Sequence, residues 1–185
     1  MSTPITIGLL TVSDRAFRGT YQDRGGPAMK DWLERALTNP EVEYLCKIVP
    51  DEETAIIEAL EHFVERECCL VLTTGGTGPA PRDVTPDATA RFCDRILEGF
   101  GESMRRASLE IVPTAILSRQ LAGTKERTLI INLPGKPSAI DDCLSAVFAA
   151  VPYCIDLLEG PRLETDPQVI SSFRPIQKKG MEASQ

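Results

Sequence analysis

The fold is decided by the stretch Leu70-Val71-Leu72-Thr73-Thr74-Gly75-Gly76-Thr77-Gly78-Pro79, a short apolar run that ends in alternating threonine and glycine. Such a run is typical of a buried strand that opens into a loop. In open α/β sheets these loops lie at the carboxyl ends of parallel strands, where ligands bind. Glycine lets the main chain approach a ligand without an intervening Cβ, so the loop predicts a site for an anion, with phosphate first. A tight strand-to-helix turn without a ligand is the alternative.

Length and composition limit the class of protein. A chain of 185 residues can bury one sizeable core but is short for two domains. Its 42% hydrophobic and 25% charged residues are typical of a folded globular protein. We therefore predict one α/β domain over residues 1–165 and an extended C-terminal tail over residues 166–185, which frays at its end.

Charge and histidine content exclude several kinds of chemistry. The net charge of −7 argues against nucleic acid as a partner, because proteins that bind it usually carry a basic stripe. The single histidine, His62, fits a helix surface and cannot supply histidine-rich zinc chemistry, and it argues against a Ser-His-Asp triad. Chemistry should then depend on carboxylates, backbone donors, lysine or arginine, and a metal that arrives with the substrate.

The cysteines and the N-terminus indicate the compartment. The six cysteines include no C-x-x-C pair and lie mostly in apolar segments, which predicts buried, reduced thiols. Residues 5–10 already fit a strand, and no signal-peptide pattern precedes them. Both observations favour a cytoplasmic protein with no membrane contact.

Strands and helices alternate along the first half of the chain. We predict strands near 5–12, 43–49 and 69–74 with helices near 27–37 and 52–66 between them. This βαβ alternation predicts a three-layer α/β/α fold with a mostly parallel sheet.

The second half is predicted to add one antiparallel strand. A helix should begin at Pro86, and a turn over residues 99–102 should precede a helix over 103–111. The extended runs 115–121 and 127–133 should pair as a β-hairpin whose turn is 122–125. A helical stretch over 138–158 should follow.

Four loops should meet at the carboxyl edge of the sheet and form one site. They contain Ser13-Asp14-Arg15, Pro50-Asp51-Glu52-Glu53, residues 73–87 and residues 133–138. Asp51 is either a helix N-cap or a ligand to a hydroxyl, a ring nitrogen or a hydrated Mg²⁺. Asp83, inside the glycine loop, is the strongest single carboxylate, whereas Asp87 fits a helix start and Arg15 fits a surface ion pair.

Binding residues are predicted on two of the loops and at the first strand tip. Gly135-Lys136-Pro137-Ser138 resembles a phosphate cradle at a helix N-terminus, with a plain turn as the alternative. No Walker sequence occurs and the first βα turn lacks the dinucleotide fingerprint. The predicted binding residues are Ser13, Asp14, Thr74, Gly75, Gly76, Thr77, Gly78, Gly135, Lys136, Pro137 and Ser138.

Several separate motifs in one order closely resemble the MogA-type molybdopterin adenylyltransferases of molybdenum cofactor biosynthesis. They are residues 73–78, Arg82-Asp83-Val84-Thr85-Pro86-Asp87, Ser13-Asp14-Arg15, Pro50-Asp51-Glu52, residues 133–137, Tyr21-Gln22-Asp23, residues 113–120 and Val151-Pro152-Tyr153-Cys154. The resemblance runs from about residue 5 to residue 175 and extends to the gephyrin G domain. Residues 143–151 are shorter than in some members of the family, which carry an insertion there.

The resemblance implies an activity and a set of partners. It implies that ATP and molybdopterin give adenylylated molybdopterin and pyrophosphate with Mg²⁺, and that Asp51 and Asp83 are the critical catalytic pair, either of which could hold the metal. It also implies a homotrimer, with a molybdenum-insertion enzyme as a possible partner. Two alternatives remain: a non-catalytic binding or scaffolding module of the same fold, and the insertion enzyme itself, whose relatives are longer.

Overall fold

The structure is a computed structural model that describes residues 5–175. The strands are β1 (Ile5–Val12), β2 (Val42–Val49), β3 (Leu70–Thr74), β4 (Arg95–Ile96), β5 (Ala122–Lys125) and β6 (Thr128–Leu133). The helices are α1 (Asp14–Phe17), α2 (Gly25–Ala36), α3 (Glu53–Glu65), α4 (Thr85–Phe92), α5 (Glu98–Leu109), α6 (Pro137–Val147) and α7 (Val151–Leu157), with 3-10 helices at Pro113–Leu117 and Phe148–Ala150.

All six strands form one sheet in the order β2-β1-β3-β6-β5-β4. The first four in that order are parallel, and only β5 runs against its neighbours. Strand β2, which follows β1 in the chain, lies on one side of β1 in the sheet, and β3 lies on the other side of β1. The carboxyl ends of β1 and β3 are therefore the topological switch point, where such folds form a crevice.

Helices cover both faces of the sheet because the strands bury side chains on both. Every residue of β1 is buried, and its side chains alternate between two cores. Ile7 and Leu9 belong to the larger core, in which Trp32 of α2 meets Phe148 edge-on with ring centroids 4.7 Å apart. Leu10 and Val12 belong to the smaller core under α3 and α4. The predicted three-layer, mostly parallel fold is confirmed.

The predicted hairpin exists, but its assignment along the chain was wrong. Residues 115–121 are not a strand, since Pro113–Leu117 is a 3-10 helix, and the supposed turn 122–125 is β5 itself. The turn is at Glu126-Arg127, where Glu126 has φ 51°. Gly123 suggested a turn, yet it allows close strand approach: a Cβ there would lie 2.7 Å from Cys93 Sγ and 2.8 Å from the Arg95 carbonyl oxygen.

Two further expectations need correction for related reasons. Residues 99–102 form no turn but lie inside α5, where a Cβ on Gly101 would lie 2.7 Å from the Gln120 carbonyl oxygen. The predicted helix over 138–158 is three pieces, α6, a 3-10 turn and α7. The short elements α1 and β4 were not predicted.

The segment Pro137–Leu157 is long and apolar enough to cross a membrane by length and composition alone. Its apolar side chains instead pack on the sheet: Ile140, Leu144 and Ile155 belong to the larger core. This segment is therefore part of the helical layer that packs on one face of the sheet.

The chain beyond Gly160 runs along the domain. Leu163 is buried, Asp166 N donates to Ala36 O at 2.8 Å, and Arg174 pairs with Asp156. The division at residue 165 stays a prediction, and the predicted fraying end lies outside the described residues.

Candidate active site

A cleft of about 470 Å³ opens at the carboxyl ends of β1 and β3, at the switch point of the sheet. Eight of the predicted site residues line it: Ser13, Asp14, Asp51, Thr74, Gly75, Gly76, Gly135 and Pro137. Five lie beside it without lining it: Thr77, Gly78, Asp83, Lys136 and Ser138. Four loops distant in sequence therefore meet at this edge, as the strand order requires.

Asp14 and Asp51 follow two neighbouring parallel strands, and the carboxylate of each accepts a hydrogen bond from the backbone N–H of the other. Asp14 N donates to Asp51 Oδ2 at 2.8 Å, and Asp51 N donates to Asp14 Oδ1 at 3.2 Å. The reciprocity follows from register, because Val12 pairs with Val49 and each aspartate comes two residues later. The alternative of an N-cap role for Asp51 is wrong: α3 is capped at Glu52, without a side-chain bond, and the carboxylate of Asp51 faces β1 instead.

Arg82 forms an ion pair with Asp14, which lines the cleft. Partial removal from water raises the pKa of Asp14, but the hydrogen bonds from Arg82 and from Asp51 N–H outweigh it. The nearby charges of Arg82 and Arg18 act in the same direction, so the pKa of Asp14 lies below its ordinary value of 3.8. Asp14 is thus held ionised at the cleft.

Ser13 and Arg15 have local roles. Ser13 Oγ accepts from Ala16 N at 3.3 Å and caps α1, although Ser13 also lines the cleft. The guanidinium of Arg15 lies over the ring of Tyr21, 5.0 Å from its centroid, rather than in the predicted ion pair.

The glycine loop needs glycine at its first two positions. Gly75 and Gly76 have φ of 97° and 62°, in the left-handed region that L side chains rarely adopt. A Cβ on Gly75 would lie 2.3 Å from Val12 O, and one on Gly76 would lie 2.4 Å from Thr85 Oγ1. The anion site predicted on this loop loses one donor, because the Gly75 N–H already donates to Leu133 O at 3.3 Å.

Asp83 is held inside its own loop and lies outside the cleft lining. Its Oδ2 accepts from Ala80 N at 3.1 Å, and its N donates back to Ala80 O at 2.9 Å. A Cβ on Gly78 would lie 2.7 Å from the same Oδ2. The structure therefore separates the two predicted catalytic aspartates, with Asp51 in the cleft and Asp83 on the flanking loop.

The start of α6 completes the cleft. Lys136 is the N-cap by backbone position, with no side-chain cap, and Pro137 is the first helical residue. Gly135 packs on the glycine loop, since a Cβ on it would lie 3.4 Å from Gly75 Cα. A helix N-terminus beside Gly75 favours negative charge in the cleft.

One carboxylate in the lining was missed as a site residue. Asp23 Oδ1 accepts from Gly25 N and Gly26 N at 2.9 and 3.2 Å, and its Oδ2 accepts from Thr11 Oγ1 at 3.0 Å. A Cβ on Gly25 would lie 2.5 Å from Thr74 Cγ2, so α2 begins directly against β3. An aspartate just before a Gly-Gly-Pro helix start was the available signal. Thr11, Tyr21 and Arg24 also line the cleft.

Within residues 5–175, no group of three or more His, Cys, Asp or Glu side chains could hold a metal ion by itself. A cation in this cleft would need ligands from a bound compound as well as from a carboxylate such as Asp51.

With this geometry in place, comparison with known proteins defines the class. A family described as a probable molybdopterin binding domain matches residues 8–153, and the chain belongs to that family.

Relatives and solved structures agree with this membership. Molybdopterin adenylyltransferases of Escherichia coli K12 and Helicobacter pylori are each 52% identical, over 92% and 94% of this chain and 94% and 98% of theirs. The molybdopterin biosynthesis enzyme MoaB of Thermus thermophilus has a TM-score of 0.77 and 41% identity, covering 86% of this chain and 99% of its own. The Mog protein of Mycobacterium ulcerans has a TM-score of 0.75 and 37% identity, covering 83% and 99%. The predicted family and the predicted class of adenylyl-transferring enzyme are confirmed.

Proposed function

We propose that this protein is a molybdopterin adenylyltransferase of molybdenum cofactor biosynthesis, converting ATP and molybdopterin into adenylylated molybdopterin and pyrophosphate. The observation that carries the proposal is the cleft at the switch point. There the glycine loop, the start of α6 and the Asp14–Asp51 pair meet. The activity in the names of relatives that share half of the sequence over nearly the whole chain supports it.

The chemistry fits a site without a strong base. A phosphate oxygen of molybdopterin would attack the α-phosphorus of ATP, the bond from that phosphorus to the bridging oxygen would break, and pyrophosphate would leave. A phosphate monoester is already anionic near neutral pH, so no side chain has to remove a proton from the nucleophile. The protein's task is to place two polyanions side by side and offset their charge.

The residues divide this task by position. The backbone around Gly76 and the N-terminus of α6 would receive phosphate oxygens, with Lys136 adding a positive charge. Asp51, which lines the cleft, would orient the second substrate or its metal. Asp83 would act from the flanking loop, at the rim of the cleft.

Mg²⁺ is proposed as a companion of ATP rather than a resident ion. The carboxylates that line the cleft are Asp14, Asp23 and Asp51, and the first two are bonded to Arg82 and to the start of α2. Asp51 is then the side chain best able to offer one oxygen to an ion held mainly by triphosphate and water.

The direct test uses ATP labelled at the α-phosphate, incubated with protein, Mg²⁺ and molybdopterin. We expect the label to move into a molybdopterin adduct with one pyrophosphate released per transfer. Label that stays in ATP while both compounds bind would instead support a binding module. A non-catalytic binding or scaffolding module is the second candidate. This domain also occurs within a longer protein, since gephyrin of Dictyostelium discoideum is 37% identical over 88% of this chain and 24% of its own length.

We also propose a homotrimer in the cytoplasm, handing its product to a molybdenum-insertion enzyme. Exposed apolar side chains close together in the sequence support association of subunits. They are Ile111, Val112, Ile116 and Leu117, with exposed fractions of 65%, 44%, 69% and 53%. Light scattering of the purified protein tests the trimer: a monomer at working concentration would reject it.

The proposed compartment is supported by the cysteines, since all six are free thiols, as expected in a reducing compartment.

A further inference from the structure

We infer that Arg119 is a positioning residue for the reaction: it fixes the glycine loop so that the loop's amide donors and Asp83 are held toward the substrates. The inference rests on the proposed function.

Four consecutive carbonyl groups of the loop are hydrogen-bonded into the protein by two residues. Thr85 takes the first two: its Oγ1 donates to Gly75 O at 2.9 Å and its N donates to Gly76 O at 3.1 Å. Arg119 takes the next two: its main-chain N–H donates to Thr77 O at 2.8 Å, and its side-chain Nε donates to Gly78 O at 3.0 Å. The acceptors of residues 75–78 are thereby occupied.

This pattern decides which polar groups the loop can offer. In a trans peptide a carbonyl and the following N–H point in opposite directions, and no described peptide bond is cis. The N–H groups of Gly76, Thr77 and Gly78 therefore point away from Thr85 and Arg119. A loop held in this way can offer donors to an anion while its acceptors stay turned away.

Arg119 also fixes the far end of the loop, where Asp83 lies. Its Nη2 donates to Asp83 O, and its two Nη atoms form a bidentate pair with Asp87 at 3.0 and 2.9 Å. One guanidinium thus joins Gly78, Asp83 and the first turn of α4. Since the Asp83 carboxylate rests against Ala80 and Gly78, the backbone that Arg119 holds determines where this carboxylate points.

The segment that carries Arg119 is itself anchored. Arg105 of α5 donates from Nη1 to Gln120 O at 2.8 Å and to Ser118 O at 3.4 Å, and Gln120 is buried. Arg119 therefore connects a rigid support on α5 with the loop across the sheet edge. A planar guanidinium with five donors can satisfy carbonyls and a carboxylate together, whereas a lysine ammonium lacks that fork.

The test compares Arg119→Met and Arg119→Lys with Arg35→Met, which removes an exposed arginine–carboxylate pair of 3.0 Å between α2 and α6, away from the cleft. Arg119→Met keeps the main-chain bond to Thr77 O and removes the guanidinium bonds to Gly78 O, Asp83 O and Asp87. We expect it to lower kcat by about 10- to 100-fold with KM for molybdopterin nearly unchanged. Arg119→Lys should recover only part of this, and Arg35→Met should keep wild-type kcat. Hydrogen exchange of residues 76–83 should speed up in Arg119→Met alone.

A purely structural role predicts a different result. Arg119→Met and Arg35→Met would then both lower Tm only slightly and both turn over like wild type well below Tm, which would overturn the inference. If Arg119→Met fails to fold, Asp87→Asn carries the test. It keeps the carbonyl contacts and should lower kcat less than Arg119→Lys does, and a loss as large as that of Arg119→Lys would contradict the assignment. A wild-type enzyme that forms no adduct defeats the proposed function and this inference with it, whereas an active wild type with unaffected Arg119 variants defeats the inference alone.

Discussion

The two carboxylates predicted to be catalytic are held by different means. Asp51 lies on the inner wall of the cleft, defined here as Ser13, Asp14, Asp51, Gly75 and Gly76, and it is fixed by the register of β1 and β2. Asp83 lies on the outer loop, residues 77–83, which is fixed by Arg119 and by its own turn. The inner wall is a property of the sheet, and the outer loop depends on a few side chains.

We expect the largest effect when charge is removed from the inner wall while its hydrogen bonds are kept. In Asp51→Asn the amide oxygen can still accept from Asp14 N, so we expect thermal stability to be retained. Turnover should fall by about 10³-fold, since a preformed charge at the reacting groups is lost. Steady-state pyrophosphate release measures it. Asp94→Asn, which removes the charge that pairs with Lys125 at the sheet edge and keeps an acceptor for Glu126 N, should keep wild-type turnover. Equal activity of the two variants would take Asp51 out of the site.

The matching change on the outer loop should cost less. Asp83→Asn retains an acceptor for Ala80 N, so the turn should persist while the charge is lost. We expect ligand affinity to be kept and turnover to fall by about 10²-fold. Single-turnover adenylylation distinguishes the chemical step from product release. An unchanged rate there would remove Asp83 from the mechanism.

The backbone that joins the two regions can be tested at Gly76. Valine at this position meets Thr85 Oγ1 and must adopt a positive φ, so we expect the affinity for ATP with Mg²⁺ to fall by about tenfold or more. Calorimetry gives the affinity. Gly99→Ala is the matched control, because Gly99 lies in α5 with nothing within 4 Å of its Cβ position, and it should change stability by less than about 1 kcal/mol. Wild-type affinity in Gly76→Val would argue against a backbone cradle.

The contact between the two regions, Arg82 with Asp14, should give the smallest effect. The pKa of Asp14 is lower in the folded protein than in the unfolded chain, so its stabilising contribution is complete above pH 3.8 and is lost as pH falls through the folded value. Arg82→Gln should raise the pKa of Asp14 toward its ordinary value. The stability difference between variant and wild type should then shrink below pH 3.8. A carbon-detected NMR titration of Asp14 measures the shift, and identical curves would contradict the ion pair.

The inner wall could be predicted from the sequence better than the contacts of the outer loop. Strand ends are local features, so the meeting of Asp14, Asp51 and Gly75 could be predicted from the βαβ order. Glycines were misleading where they serve close packing: Gly101 and Gly123 suggested turns but allow neighbouring backbone to approach a helix and a strand. Arg119 could not be found, because its role depends on carbonyls about forty residues away that only the folded chain brings to it.

In the proposed function, one cleft at the carboxyl ends of β1 and β3 receives both phosphorylated substrates. The most direct measurement is a crystal structure with molybdopterin and a non-hydrolysable ATP analogue bound. We expect phosphate oxygens against the Gly76 amide and the start of α6, with the second compound reaching Asp51. Both compounds lying elsewhere, for example at the opposite edge of the sheet beside Cys68 and Arg127, would contradict it.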